Sequence, residues 1–196
     1  MCTWHLTFDH ATELRQLVSA YQAALAPLPG LNPVPLQWLH LTIQGVGYAD
    51  ELPPGQLDDV AESVRRELAT MSAFTLTFHR AVIRDEAIAL PPTPVEPLHE
   101  LLTRLRRSIA TATDAPVHTG PEQAHGFHPH VTIAYSHTNA VAEPYAGALN
   151  NVNESAATVN VAETALIKQE RLLEPDWLYR WTTHSIASLS HRTPRD

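Results

Sequence analysis

An α+β fold is what this sequence predicts, and three observations predict it. Strand-like runs cluster without a helix between each pair, and the helical periods fall in separate segments. One strand–helix–loop–strand unit also occurs twice. A doubly wound sheet would interleave a helix with nearly every strand, and this order does not.

Trp4 to Phe8 is a short β-type run closed by Asp9, which can cap the helix after it. From Ala11 to Ala26 the residues Leu14, Leu17, Val18, Tyr21 and Leu25 recur three or four apart, the period of an amphipathic helix. Pro27, Pro29, Gly30, Pro33 and Pro35 then impose a loop. Leu36 to Val46 reads as a strand, with Trp38, His40, Thr42 and Gln44 on one face and Leu39, Leu41 and Ile43 on the other. After a loop of Gly and Pro, Leu57 to Met71 is a second helix, its apolar side Leu57, Val60, Ala61, Val64 and Leu68. Phe74 to Phe78 alternates Phe, Leu, Phe with Thr, a half-buried strand.

Val82 to Leu90 reads as a strand pair about the turn Arg84-Asp85-Glu86. Pro91 to Pro97 is a proline-rich connection into a third helix, Val95 to Thr111, carrying Leu98, Leu101, Leu102, Leu105 and Ile109. His118 to Gly126 is a polar loop and Pro129 to Tyr135 a strand. Ser136 to Ala156 is polar, with room for a short helix. Thr158 to Gln169 and Leu178 to Ser188 read as two closing strands, and the tail from 191 to 196 as frayed.

Composition narrows the function. The 196 residues are 44% hydrophobic, enough for a core without disulfides or metals. One cysteine, Cys2, rules out an internal disulfide framework and points to a reducing, cytoplasmic setting. The N-terminus does not read as a signal peptide, and no apolar run is long enough for a membrane helix. Thirteen Lys and Arg against 21 Asp and Glu, a net −8, are poor for binding a long nucleic-acid backbone. A nucleotide or the end of an RNA remains compatible. No GxxxxGK[ST] or GxGxxG loop is present.

Two segments match residue type for residue type: Leu39-His40-Leu41-Thr42-Ile43 and Pro129-His130-Val131-Thr132-Ile133. On a strand, positions i and i+2 share a face. Each copy therefore presents an imidazole beside a hydroxyl while the apolar residues anchor the strand. Two copies brought face to face make a cleft suited to transesterification or hydrolysis at phosphorus. A neutral imidazole takes a proton from the nucleophile and a protonated one gives a proton to the leaving oxygen. The threonine hydroxyls donate to the non-bridging oxygens. This chemistry requires no metal. Each motif closes a strand–helix–loop–strand unit, about 90 residues apart.

On these motifs the chain resembles the two-histidine phosphoesterase superfamily. That group includes the bacterial 2′-5′ RNA ligase-like and RNA 2′,3′-cyclic phosphodiesterase proteins. The resemblance spans about residues 3 to 190. It implies one two-lobed domain, pseudo-symmetric and α+β, with antiparallel sheets flanked by helices and a central cleft. It also implies that His40 and His130 share the acid and base roles, and that Thr42 and Thr132 bind phosphate. The implied substrates are 2′,3′-cyclic or 2′-5′ phosphodiesters of RNA ends or small nucleotides, with no cofactor. In the ligase direction a 5′-hydroxyl replaces water. Which histidine is the base stays open at this point, as does a non-catalytic nucleotide-binding module on the same fold.

Other features compete. His5-Leu6-Thr7-Phe8 fits the same pattern, but it opens a unit instead of closing one. Its counterpart near Ala87 to Leu90 has no histidine, so His5 is read as non-catalytic, at most near the cleft rim. His125, His128 and His130 invite a zinc reading, but no HExxH or second compact cluster completes it. No metal is assigned, and His125 and His128 are placed beside the cleft. Tyr135 and Phe127 are candidates for stacking on a base. Lys168 and Arg171 are read as solvated surface cations, with phosphate contact the alternative, and Arg104, Arg106 and Arg107 are read as the solvated face of the third helix. A monomer is expected.

Overall fold

The computed structural model describes residues 1–113, 126–174 and 177–190. Most of the expected polar loop, His125 included, and the tail from 191 lie outside them. The chain runs β1 (Cys2–Thr7), α1 (Thr12–Leu25), β2 (Leu31–Pro33), a 3-10 turn (Leu36–Trp38), β3 (His40–Gly47) and α2 (Gln56–Leu68). It continues through β4 (Phe74–Phe78), β5 (Val82–Ile83), β6 (Ala87–Leu90), β7 (Pro92–Thr93) and α3 (Glu96–Thr113). Then come β8 (Val131–Ser136), α4 (Glu143–Asn150), β9 (Ala157–Val161), β10 (Glu163–Leu172) and β11 (Leu178–Ser188).

Among the described residues three antiparallel sheets form, in the orders β11-β10-β1-β3, β2-β8-β6-β5 and β7-β4-β9. The fold is α+β, the class read from the sequence. β1 is an inner strand with Cys2 to Leu6 all buried, so its run carries no alternation. The helices bury the periodic faces that predicted them, Leu14, Leu17, Val18, Tyr21 and Leu25 in α1 and Leu98, Leu101, Leu102, Leu105 and Ile109 in α3. In α2, Asp58 and Asp59 in the first turn and Arg65 and Arg66 in the last complement the helix dipole.

The duplication is visible in the hydrogen-bond registers. β1 pairs with β3 so that Trp4 faces Gln44 and His5 faces Thr42, skipping Ile43. β6 pairs with β8 so that Ile88 faces Ala134 and Ala89 faces Thr132, skipping Ile133. The same β-bulge thus sits one residue past the threonine in both copies. A bulge re-aims the side chains beyond it. Gln44, expected beside Thr42, is instead fully buried, its Oε1 accepting a hydrogen bond from Arg106 Nε at 2.8 Å.

Each unit's helix braces the other unit's motif strand. α1 packs on β8 and α3 packs on β3. Gln22 of α1 donates to the carbonyl of Ile133, the bulged residue, at 2.9 Å, and to Val34 at 2.7 Å. Arg106 of α3, expected in solvent, reaches the Gln44 side chain beyond the other bulge. Leu41, Ile43, Val131 and Ile133 are all 0% exposed. At about 1.5–3 kcal/mol per buried aliphatic side chain, they hold the motif strands in the core.

Two further elements differ from the sequence reading. The run expected as one strand from Thr158 to Gln169 breaks at Ala162 into β9, which pairs with β4, and β10, which pairs with β1 and β11. No Gly or Pro marks the break; only Ala162 and Glu163, weak strand formers, stand between Val161 and Thr164. Leu31–Pro33, expected as loop, adds to β8 as an edge strand, where proline is tolerated.

Candidate active site

His40 opens β3 and His130 immediately precedes β8, each at the entry of its motif strand. The two rings are held alike. Nδ1 of His40 lies 2.9 Å from the carbonyl of Trp38, and Nδ1 of His130 lies 2.8 Å from the carbonyl of His128. A carbonyl only accepts, so each Nδ1 carries the hydrogen. Nε2 is then the atom at which each ring takes up or releases a proton. Thr42 and Thr132 follow two residues on, both at least partly buried.

His5 is not at a rim. It is fully buried, its ring stacked on that of His40 with centroids 4.6 Å apart and planes 4° from parallel. Its Nε2 lies 3.1 Å from Thr42 Oγ1, while its Nδ1 is buried with no hydrogen-bond partner among the described residues.

Aromatic rings from β11 close the other side. Trp181 meets the His40 ring edge-on at 5.2 Å and Trp38 at 4.8 Å. Tyr179 lies 6.2 Å from His40 and 5.4 Å from Tyr135 of β8, so it links the two motif strands. The Arg171 guanidinium sits over Tyr179 at 5.6 Å and over Trp177 at 5.4 Å, within cation–π range. Sequence reasoning passed over Trp177, Tyr179 and Trp181. Their signal was present: aromatics at i, i+2 and i+4 entering a strand share one face.

This enclosure sets the electrostatics. Burial pushes the His40 imidazole from its usual 6.5 down to about 4. The hydrogen bond to the Trp38 carbonyl opposes that shift, and the charge of His130 adds to it, so the two histidines sense one another. Burial also holds His5 well below its ordinary value, with His40 contributing. Both are neutral near pH 7.

Of the remaining sequence candidates, Phe127 meets His99 of α3 edge-on at 5.3 Å and packs against the core. His128 is exposed and contributes its carbonyl to His130. Arg104 and Arg107 both pair with Glu67, joining α3 to α2. Lys168 is exposed on β10. Among the described residues, no three His, Cys, Asp or Glu side chains are grouped to hold a metal ion. No described helix is long and apolar enough to cross a membrane.

Antiparallel sheets in matching registers, each carrying a His-x-Thr pair, define a duplicated α+β protein. The family model of the 2′-5′ RNA ligase superfamily matches residues 5–172, and the chain belongs to that family. TT0787 of Thermus thermophilus has a similar structure, with a TM-score of 0.70 at 19% identity, over 98% of this chain and 99% of that one. E. coli LigT in apo form gives a TM-score of 0.66 at 20% identity, over 97% of both chains. LigT complexed with 3′-AMP gives 0.68 at 20% identity, over 97% of this chain and 98% of that one. At these identities the likeness is one of fold. No curated protein matches the sequence.

Proposed function

We propose that the protein is a single-domain, two-lobed, metal-independent phosphoesterase using His40 and His130 as its general base and acid. Its substrates are 2′,3′-cyclic or 2′-5′ phosphodiesters at RNA ends or in small nucleotides. The observation that carries this reading is the repeated geometry. Two His-x-Thr pairs stand on strands with the same bulge, each imidazole with Nδ1 bonded to the carbonyl two residues back. That a LigT structure is complexed with 3′-AMP supports a nucleotide phosphate as the ligand class.

In hydrolysis, Nε2 of neutral His40 takes a proton from water as its oxygen bonds to phosphorus. The bond from phosphorus to one ribose oxygen breaks, and protonated His130 gives that oxygen its Nε2 proton. His40 receives the base role because burial keeps it neutral. Thr42 and Thr132 donate to the non-bridging oxygens, where charge accumulates. Of the two rings offered for stacking, Tyr135 takes that role beside Tyr179, while Phe127 packs on α3. The negative balance favours hydrolysis of small or terminal substrates over ligation of long RNA. The enzyme acts as a monomer in the cytoplasm, where the buried thiol of Cys2 stays reduced.

The test is turnover of a nucleoside 2′,3′-cyclic monophosphate in EDTA, comparing wild type with His40→Ala and His130→Ala. Each substitution is expected to cost about 10²–10⁴-fold in kcat. Chelator-sensitive turnover, or variants as active as wild type, would refute the reading.

A further inference from the structure

The two halves match in register but differ where a threonine meets its cross-strand neighbour. Thr132 faces Ala89, and Thr42 faces His5. Ala89 offers Thr132 no side-chain hydrogen bond, whereas the His5 Nε2 lies 3.1 Å from Thr42 Oγ1.

A neutral imidazole carries one N–H. Were it on Nδ1, it would be a buried donor without an acceptor, since Nδ1 is sealed from solvent and unpartnered. Thr42 would then have to give its own hydrogen to Nε2. With the hydrogen on Nε2, the bond runs the other way, and only a lone pair on Nδ1 goes unmatched. Buried orphan N–H groups are the rarer and costlier defect. Thr42 Oγ1 is then an acceptor towards His5, and its O–H is committed elsewhere.

We propose that His5 is a positioning residue: its Nε2–H donates to Thr42 Oγ1 and thereby turns the Thr42 hydroxyl hydrogen to the substrate phosphate. The same ring lies flat against one face of His40, with Trp181 edge-on to that imidazole. One buried side chain thus fixes the attitude of both members of the first motif. A donor oriented before the phosphate arrives needs no reorientation in the transition state. Thr132, beside Ala89, is the adaptable donor. The duplicated site thereby acquires a preorganised half and an accommodating half. The inference rests on the phosphoesterase reading for its catalytic consequence, but not for its hydrogen bond.

Two measurements test it. Long-range ¹⁵N–¹H correlation spectra of the labelled full chain report the His5 tautomer directly. Protonated Nε2 with bare Nδ1 is expected, and an Nδ1–H tautomer overturns the proposal. Kinetics then use His5→Phe, which keeps a stacked ring but no N–H, and His5→Gln, which returns an N–H at similar reach. His5→Phe is expected to lower kcat about five- to tenfold, the worth of one hydrogen bond, with KM changed less than about twofold. His5→Gln should recover most of the loss. In the presence of Thr42→Val, His5→Phe should cost nothing further. Equal losses with and without Thr42→Val would reduce His5 to packing and sink the proposal. A wild type inert on cyclic monophosphates would defeat the phosphoesterase reading, while the tautomer would still decide the hydrogen bond.

Discussion

Trp181→Ala should move the acid limb of the pH–rate profile. The Trp181 ring centroid lies 5.2 Å from that of His40 and 6.1 Å from that of His5, nearly perpendicular to both rings. Burial is the largest cause of the depressed His40 pKa, so uncovering the ring raises it from about 4 towards 6.5. A general base works only when neutral, so the acid limb of kcat/KM follows its pKa in the free enzyme. At pH 5 an imidazole titrating at about 4 is ~90% neutral, whereas one titrating at about 6.5 is only ~3% neutral. Wild type should therefore keep nearly all its plateau kcat/KM at pH 5. The variant should lose activity there, up to about thirtyfold if its pKa becomes ordinary. The assay is kcat/KM on a 2′,3′-cyclic monophosphate from pH 4 to 9 at constant ionic strength. The alkaline limb, which belongs to the acid, should stay in place. A wild-type acid limb near pH 6.5, or one near pH 4 that Trp181→Ala leaves unmoved, would refute both the enclosure argument and the assignment of His40 as base.

Stability should also depend on pH in a definite direction. His5 and His40 resist protonation in the folded state, so below about pH 6.5 the unfolded chain binds protons that the folded chain does not. Stability is therefore complete above that pH and lost as it falls towards 4. By pH 5 His40 contributes at most about 2 kcal/mol of that loss, and less in proportion to its partial exposure. Urea midpoints at pH 7.5 and 5 measure the loss, and His5→Phe should shrink it; an unchanged loss would contradict the burial effect. Arg106→Met removes a partner of buried Gln44 and a tie between α3 and β3, at a cost of about 1–3 kcal/mol by urea denaturation. A variant as stable as wild type would return Arg106 to the solvated face. Phe78→Ala empties a fully buried site that meets Phe8 edge-on at 5.9 Å, and should cost about 3–5 kcal/mol by the same measurement.

The placement of the candidate site's motif residues was legible because its signal is local. A histidine and threonine two apart on a strand share a face whatever that strand pairs with, and the repeat 90 residues on marks the second copy. The helices were legible for the same reason, since an apolar period of three to four belongs to the helix itself. The strand Phe74 to Phe78 and the strand Leu178 to Ser188 were read with the bounds they have.

What sequence could not decide depends on partners far along the chain. Gln44 was placed beside Thr42 by strict alternation, but a bulge opposite Trp4 and His5 turned it inward to Arg106. β9 and β10 form one continuous run in sequence, yet they pair in different sheets. His5 read as a stray copy of the motif because its partners Thr42 and His40 lie more than 30 residues away. Trp181, more than 140 residues from His40, covers that ring only after β11 pairs with β10 and β10 with β1. The sequence by itself determined which residues offer an imidazole beside a hydroxyl on one strand face, because side-chain type and strand period are local properties. Only the tertiary structure decided their protonation and aim. Burial and cross-strand neighbours set those, and both exist only once distant strands have paired.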